Sequence, residues 1–219
     1  MKLNLRLFSF IAVLALAVLA CGGGGDAPDA QDSNILFQDD FSNKSGNWDE
    51  VNAEDGVTNY ANDAYQIRVN TTQLDVWANP EGQSFTDVRI EVQATKQAGS
   101  TDNNDFGLIC RYQDESNYYY FIISSDGYYG IGKVKDGVQN LIDMADNNML
   151  PTDTITVGDA TNTIRADCVG STLTLYVNGQ QVDSKTDTDF TEGNVGLMAG
   201  TFEEVYTDIL FDNFKVLEP

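Results

Sequence analysis

The sequence has no histidine and few basic residues. Its 219 residues carry 12 Lys and Arg against 34 Asp and Glu, a formal net charge of −22. Without histidine there is no Ser-His-Asp triad, no Cys-His dyad and no His-ligated zinc or haem. The charge excludes a nucleic-acid partner, because phosphate contacts need clustered Lys and Arg. Long apolar runs are also scarce. The one present, Leu7 to Ala20, spans 14 residues broken only by Ser9, whereas a bilayer-spanning helix needs about 20. Material for a core is not lacking. Hydrophobic residues make up 42% and aromatics 11%, which excludes a wholly disordered acidic chain and suits one all-β domain.

The short apolar run follows Lys2 and Arg6, the pattern of a signal peptide over residues 1–20. It ends in Val18-Leu19-Ala20-Cys21, which resembles a bacterial lipobox, although Leu is commoner than Val at its first position. That resemblance implies lipidation of Cys21 and a membrane anchor at the cell envelope, with the domain outside the cytoplasm. The plainer alternative is an ordinary cleaved signal with Cys21 left over. Gly22 to Gly25 and the polar residues up to Ser33 read as a flexible tether, giving an anchor-and-tether segment 21–34 and a domain 35–219. Cleavage before Cys21 leaves 10 basic and 34 acidic residues, net −24. Such a charge repels anionic head groups, so the domain hangs from its lipid. Setting Cys21 aside leaves Cys110 and Cys168, an even number in an exported chain, which predicts a disulfide.

From Ile35 the pattern has period two. Tyr65, Ile67 and Val69 alternate with Gln66 and Arg68, and Leu74, Val76 and Ala78 with Asp75 and Trp77. Val88, Ile90, Val92 and Ala94 form a third such face. Phe106, Leu108, Cys110 and Tyr112 form a fourth, Ile164, Ala166 and Cys168 a fifth, and Leu173, Leu175 and Val177 a sixth. Asp126-Gly127, Asp136-Gly137, Gly170-Ser171 and Asn178-Gly179 supply the positive φ angles of tight hairpins. Alternating strands with turns every 8–12 residues predict an all-β, two-sheet antiparallel β-sandwich. Leu141 to Leu150 reads as a loop, and the first and last strands are expected side by side.

Several blocks then resemble bacterial concanavalin A-like jelly-roll domains. They are Phe37-Gln38-Asp39-Asp40-Phe41 before Trp48, Phe106 to Tyr112, Asn117 to Phe121, Ser125 to Tyr129, Leu173 to Gly179 and Phe211-Asp212-Asn213-Phe214. Laminin-G-like domains and those of the 3-keto-disaccharide hydrolase or family-16-glycoside-hydrolase type are the relatives this implies. Family-16 hydrolases carry Glu-x-Asp-x-Glu on one strand, with two carboxyl groups about 5–5.5 Å apart for retaining chemistry. No such triplet occurs here. In Asp87-Val88-Arg89-Ile90-Glu91 the two acids share a face but stand about 13 Å apart along a strand. The sequence therefore points away from an enzyme, with a sugar hydrolase as the alternative to a glycan-binding domain and a ligand-free envelope domain as a third reading.

The arginines of the domain, Arg68, Arg89, Arg111 and Arg165, all stand mid-strand at polar phase. Their planar forks suit hydroxyls and carboxylates. Trp77 shares its phase with Asp75, and Tyr119 is ambiguous. Arg68, Asp75, Trp77, Arg89, Glu91, Arg111 and Tyr119 are thus the candidate sugar-binding residues, aromatic rings stacking on C–H faces and polar groups holding hydroxyls. The bland alternative is cross-strand pairing. Calcium is the natural candidate among metals for a chain without histidine, with Asp39, Asp40 and Asp212 as ligands and residues 102–105 and 187–192 as rival positions.

Overall fold

The computed structural model describes residues 34–219. The expectations for the signal peptide, Cys21 and most of the tether lie outside the described residues. Asn34 is already part of the domain, its carbonyl accepting a hydrogen bond from the Glu218 N–H.

In chain order the strands are β1 (Ile35–Asp39), β2 (Val51–Asn52), β3 (Gly56–Ala61), β4 (Ala64–Val69), β5 (Leu74–Ala78) and β6 (Val88–Lys96). Then come β7 (Asn104–Asp114), β8 (Asn117–Ile123), β9 (Tyr128–Lys135), β10 (Val138–Leu141) and β11 (Leu150–Pro151). The last are β12 (Thr161–Val169), β13 (Thr172–Val177), β14 (Gln180–Thr186), β15 (Asn194–Thr201) and β16 (Thr207–Leu217). They form two antiparallel sheets. One has nine strands in the order β14-β13-β12-β6-β16-β4-β3-β2, with β1 also pairing β16. The other has seven, in the order β10-β9-β8-β7-β15-β5, with β11 pairing β9. The first and last strands are therefore neighbours, as expected, Asp39 opposite Phe214. Residues 142–149 make the expected loop, with a short 3-10 turn at Ala145–Asn147.

The core fills the space between the sheets. Ile67, Ile90, Val92, Leu108, Phe121, Ile164, Leu175, Leu197 and Phe211 all lie in it, each fully buried. Burial of each such side chain stabilises by about 1.5–3 kcal/mol, so six strands of period-two alternation suffice to specify the sandwich. Cys110 on β7 and Cys168 on β12 meet across this core, Cα atoms 6.9 Å apart, in a disulfide that ties one sheet to the other. The aromatic blocks at the chain ends are structural as well. Trp48 packs edge-on against Phe214 at 4.9 Å and against Phe41 at 5.4 Å.

Two bulges break the alternation. Asn213 (φ 55°) interrupts β16 so that Phe211 and Phe214, three apart, both face inward. Arg111 (φ 52°) does the same in β7. The extra residue turns Arg111 inward and throws Tyr112 onto the opposite face.

Candidate functional site

The outer face of the seven-stranded sheet is not a solvated polar surface. Ile109 of β7, Tyr118, Tyr120 and Ile122 of β8, Val134 of β9 and Met198 of β15 form a second apolar cluster there, with Trp77, Tyr112, Leu141 and Met149 packed on it. This explains why β7 and β8 read as nearly continuous apolar runs, since both of their faces are covered. The sheet curls over this face. Gln139 of β10 and Asp75 of β5 come from its two opposite edges, yet Gln139 Nε2 donates to Asp75 Oδ2 at 3.0 Å. Beneath that contact lies a cavity of about 830 Å³. One wall is aromatic, with the Trp77 and Tyr118 rings 6.1 Å apart and Tyr120 6.5 Å from Tyr118. Polar side chains complete the lining, among them Gln73, Asn103, Gln139, Asn147 and Asn148.

Two carboxyl groups stand at the cavity floor. Gly200 of β15 is paired on one side with Asp75 of β5 and on the other with Asp105 of β7. Period-two alternation puts both acids on the outer face, and the missing side chain of Gly200 lets them converge. A methyl group on Gly200 would lie 2.1 Å from Asp75 Oδ1 and 2.7 Å from Asp105 Oδ1, so the two oxygens are no further apart than these distances together. Asp105 is 2% exposed, and its Oδ1 accepts no hydrogen bond among the described residues. Burial raises the Asp75 carboxyl above its ordinary range, against the opposing pull of the Gln139 bond. Burial raises Asp105 well above that range too, and the neighbouring charge of Asp75 adds to it. Burial likewise raises the Tyr118 and Tyr120 hydroxyls. The arrangement can share a proton between two carboxyl groups, or hold a donor-rich ligand group between them.

The sequence-derived set does not come together here. Asp75 and Trp77 line the cavity. Arg68 on β4 and Arg89 and Glu91 on β6 belong to the nine-stranded sheet. There Arg89 faces Asp167 on the neighbouring strand at 3.5 Å, while Arg165 binds Asp167 of its own strand at 2.6 Å and covers the cross-strand Tyr176 ring at 4.2 Å. Arg111 is turned inward by its bulge. It donates to the carbonyls of Thr86 (3.1 Å) and Phe190 (2.9 Å) and to Asp87 Oδ1 (3.2 Å), and so ties two connections to β7. Tyr119 lies wholly in the inter-sheet core. Its hydroxyl donates to Asp187 Oδ1 at 2.6 Å and accepts from the Phe190 N–H at 3.0 Å, and burial pushes its pKa up to about 12. Alternation reports phase but not which sheet a strand joins, hence the scatter. Asp105 enters the sequence reading only as the last residue of the acidic segment 102–105, a rival calcium position, and not among the sugar-binding candidates, although it stands in β7. Its phase, shared with Gly107 and Ile109 and opposite to Phe106, was the available signal.

The residues expected to hold calcium do not fit that ion. Asp39 accepts from the Phe41 N–H (2.8 Å) and Trp48 Nε1 (3.1 Å), and Asp40 from Ser42 Oγ (2.7 Å). Asp212 accepts from the adjacent Asn213 N–H (2.6 Å). Among the described residues no three acids gather, whereas calcium takes six to eight oxygens.

No protein-family model matches the sequence, and no curated protein does. Solved structures do match. The chain superposes on a carbohydrate binding module, CBM66 from Bacillus subtilis, with a TM-score of 0.62 and 20% identity, over 78% of this chain and 95% of that one. A Bacillus subtilis protein of unknown function with a galectin-like fold gives 0.59 and 10%, over 84% and 96%. A Bacillus licheniformis beta-glucanase gives 0.56 and 12%, over 84% and 97%. The domain is a concanavalin A-like jelly roll. In this jelly roll the cavity lies on the face of the seven-stranded sheet that points away from the disulfide, and its paired acids, Asp75 and Asp105, come from two strands rather than one.

Proposed function

We propose that this chain is a lipid-anchored envelope protein whose jelly roll binds carbohydrate in the cavity between Trp77 and Gln139. The observation that carries the reading is the cavity itself. A tilted Trp77–Tyr118 wall beside amide side chains offers apolar faces for sugar C–H groups and paired donors and acceptors for hydroxyls. The resemblance in fold to a carbohydrate binding module supports it. A glycan array probed with the wild type and with Trp77→Ala tests it. Binding to at least one glycan that is lost in the variant is expected, and an array without signal for the wild type would refute it. Disaccharide turnover by the wild type, lost in Asp75→Asn, would replace binding by hydrolysis.

The anchor rests on the ending Val18-Leu19-Ala20-Cys21 and the glycines that follow. Cys21→Ala is expected to move the protein from the membrane to the soluble fraction. A wild type that is already soluble and carries no acyl mass would exclude the anchor.

A further inference from the structure

The charge of the cavity is one-sided. Asp75, Asp105, Glu115 and Asp126 line it, and no Lys or Arg does. The lysines of β9 are turned away, Lys133 to Asp187 and Asp189, and Lys135 to Asp189. At the floor, Asp105 Oδ1 is enclosed without a donor, and Asp75 Oδ1 converges on the same point above Gly200. The protein donor that reaches the pair, Gln139 Nε2, serves the other oxygen of Asp75. Buried acceptors in native structures have partners, so the two oxygens either share a proton or take a donor from outside the chain, and a ligand with several donors can replace that proton. A sugar hydroxyl brings one proton and no charge. A primary ammonium brings three N–H donors and a positive charge, and so bonds both carboxylates at once with charge assistance. Trp77 and Tyr118 stand on the same face, where their rings attract a cation as well as sugar C–H groups.

We infer that the cavity selects a carbohydrate bearing a primary ammonium group, an amino sugar whose nitrogen seats between Asp75 and Asp105. This rests on the carbohydrate reading above and adds the class of sugar. Uronic, sulfated and sialylated glycans are excluded by the same acids.

The test is calorimetric titration of the full-length protein in detergent with three oligosaccharides of equal length, a glucosamine hexamer, its fully N-acetylated counterpart and cellohexaose, at neutral pH in 0.5 M salt. High salt screens the general surface charge but not a pair this enclosed. The glucosamine hexamer is expected to bind at least tenfold more tightly than the other two. Asp105→Asn and Asp75→Asn, titrated separately, are expected to bring the three ligands to within about twofold of one another. Equal affinities in the wild type, or a preference that survives both substitutions, would overturn the inference and leave the carbohydrate reading standing. Calcium binding that depends on Asp105 and competes with the amine would also overturn it. Failure of all three sugars to bind would overturn this inference, while the carbohydrate reading is decided by the glycan array.

Discussion

Replacing Asp105 by asparagine should make the domain more stable at neutral pH. The side chain keeps its shape, so packing against Gly200 and β8 is preserved, but the titratable oxygen is gone. In the folded protein Asp105 is enclosed, with Asp75 facing it from β5, Tyr118 and Tyr120 from β8 and Gln139 reaching across from β10, and no cation among them. Its folded pKa therefore lies above the unfolded value, and between the two the unfolded chain binds fewer protons than the native one. Stability is fully present below about pH 4 and falls as pH rises through the folded pKa. Asparagine removes that fall, and its amide can donate to Asp75 Oδ1. Relief of one buried, unpartnered acceptor is worth about 1–3 kcal/mol, and each kcal/mol raises the melting temperature by about 2–4 °C in a domain of this size. Thermal unfolding of wild type and Asp105→Asn, followed by circular dichroism at pH 7 and near pH 4, measures it. The gain should appear at pH 7 and shrink near pH 4. A variant less stable at pH 7, or a gain of equal size at both pH values, would refute the argument. The predicted gain also separates stability from binding, since the same substitution should weaken selection of an amino sugar in a better-folded protein.

Reduction of the Cys110–Cys168 bridge, or its replacement by two serines, opens a loop with a sequence separation of 58. On the loop-entropy model this costs about 4 kcal/mol, measurable by urea unfolding with and without reductant; a change under about 1 kcal/mol would show that the unfolded chain is not the state the bridge acts on. Arg111→Met should cost about 3 kcal/mol, because it leaves the Thr86 and Phe190 carbonyls without their buried donor; the pair with half-exposed Asp87 adds little. Equal urea midpoints for this variant and the wild type would contradict the bulge-borne role. A calcium chelator should leave the melting temperature unchanged, since Asp39, Asp40 and Asp212 are spent on protein donors; a drop of several degrees would restore the calcium expectation.

The alternation of Ile67, Ile90, Ile164 and Leu175 with polar neighbours determined by itself that the chain is a two-layer β-sandwich, and which side of those strands is core. The pairing of Cys110 with Cys168 followed from their inward phase and from the expectation that the chain is exported, because two half-cystines on core faces have few other places to go. What alternation cannot carry is sheet membership and bulges. Arg68, Arg89 and Glu91 share a phase with Asp75 and Trp77 but stand on the other sheet, because strand order depends on long-range pairing. Arg111 left its expected face through one positive φ angle, a local backbone choice that hydrophobic periodicity does not encode. The floor of the cavity is wholly tertiary. Asp75 and Asp105 lie 30 residues apart in sequence and meet because β15, nearly 100 residues further on, inserts between β5 and β7 and presents Gly200 to both. Neither acid's own strand points to the other; only the glycine that separates them lets the two share one enclosed space.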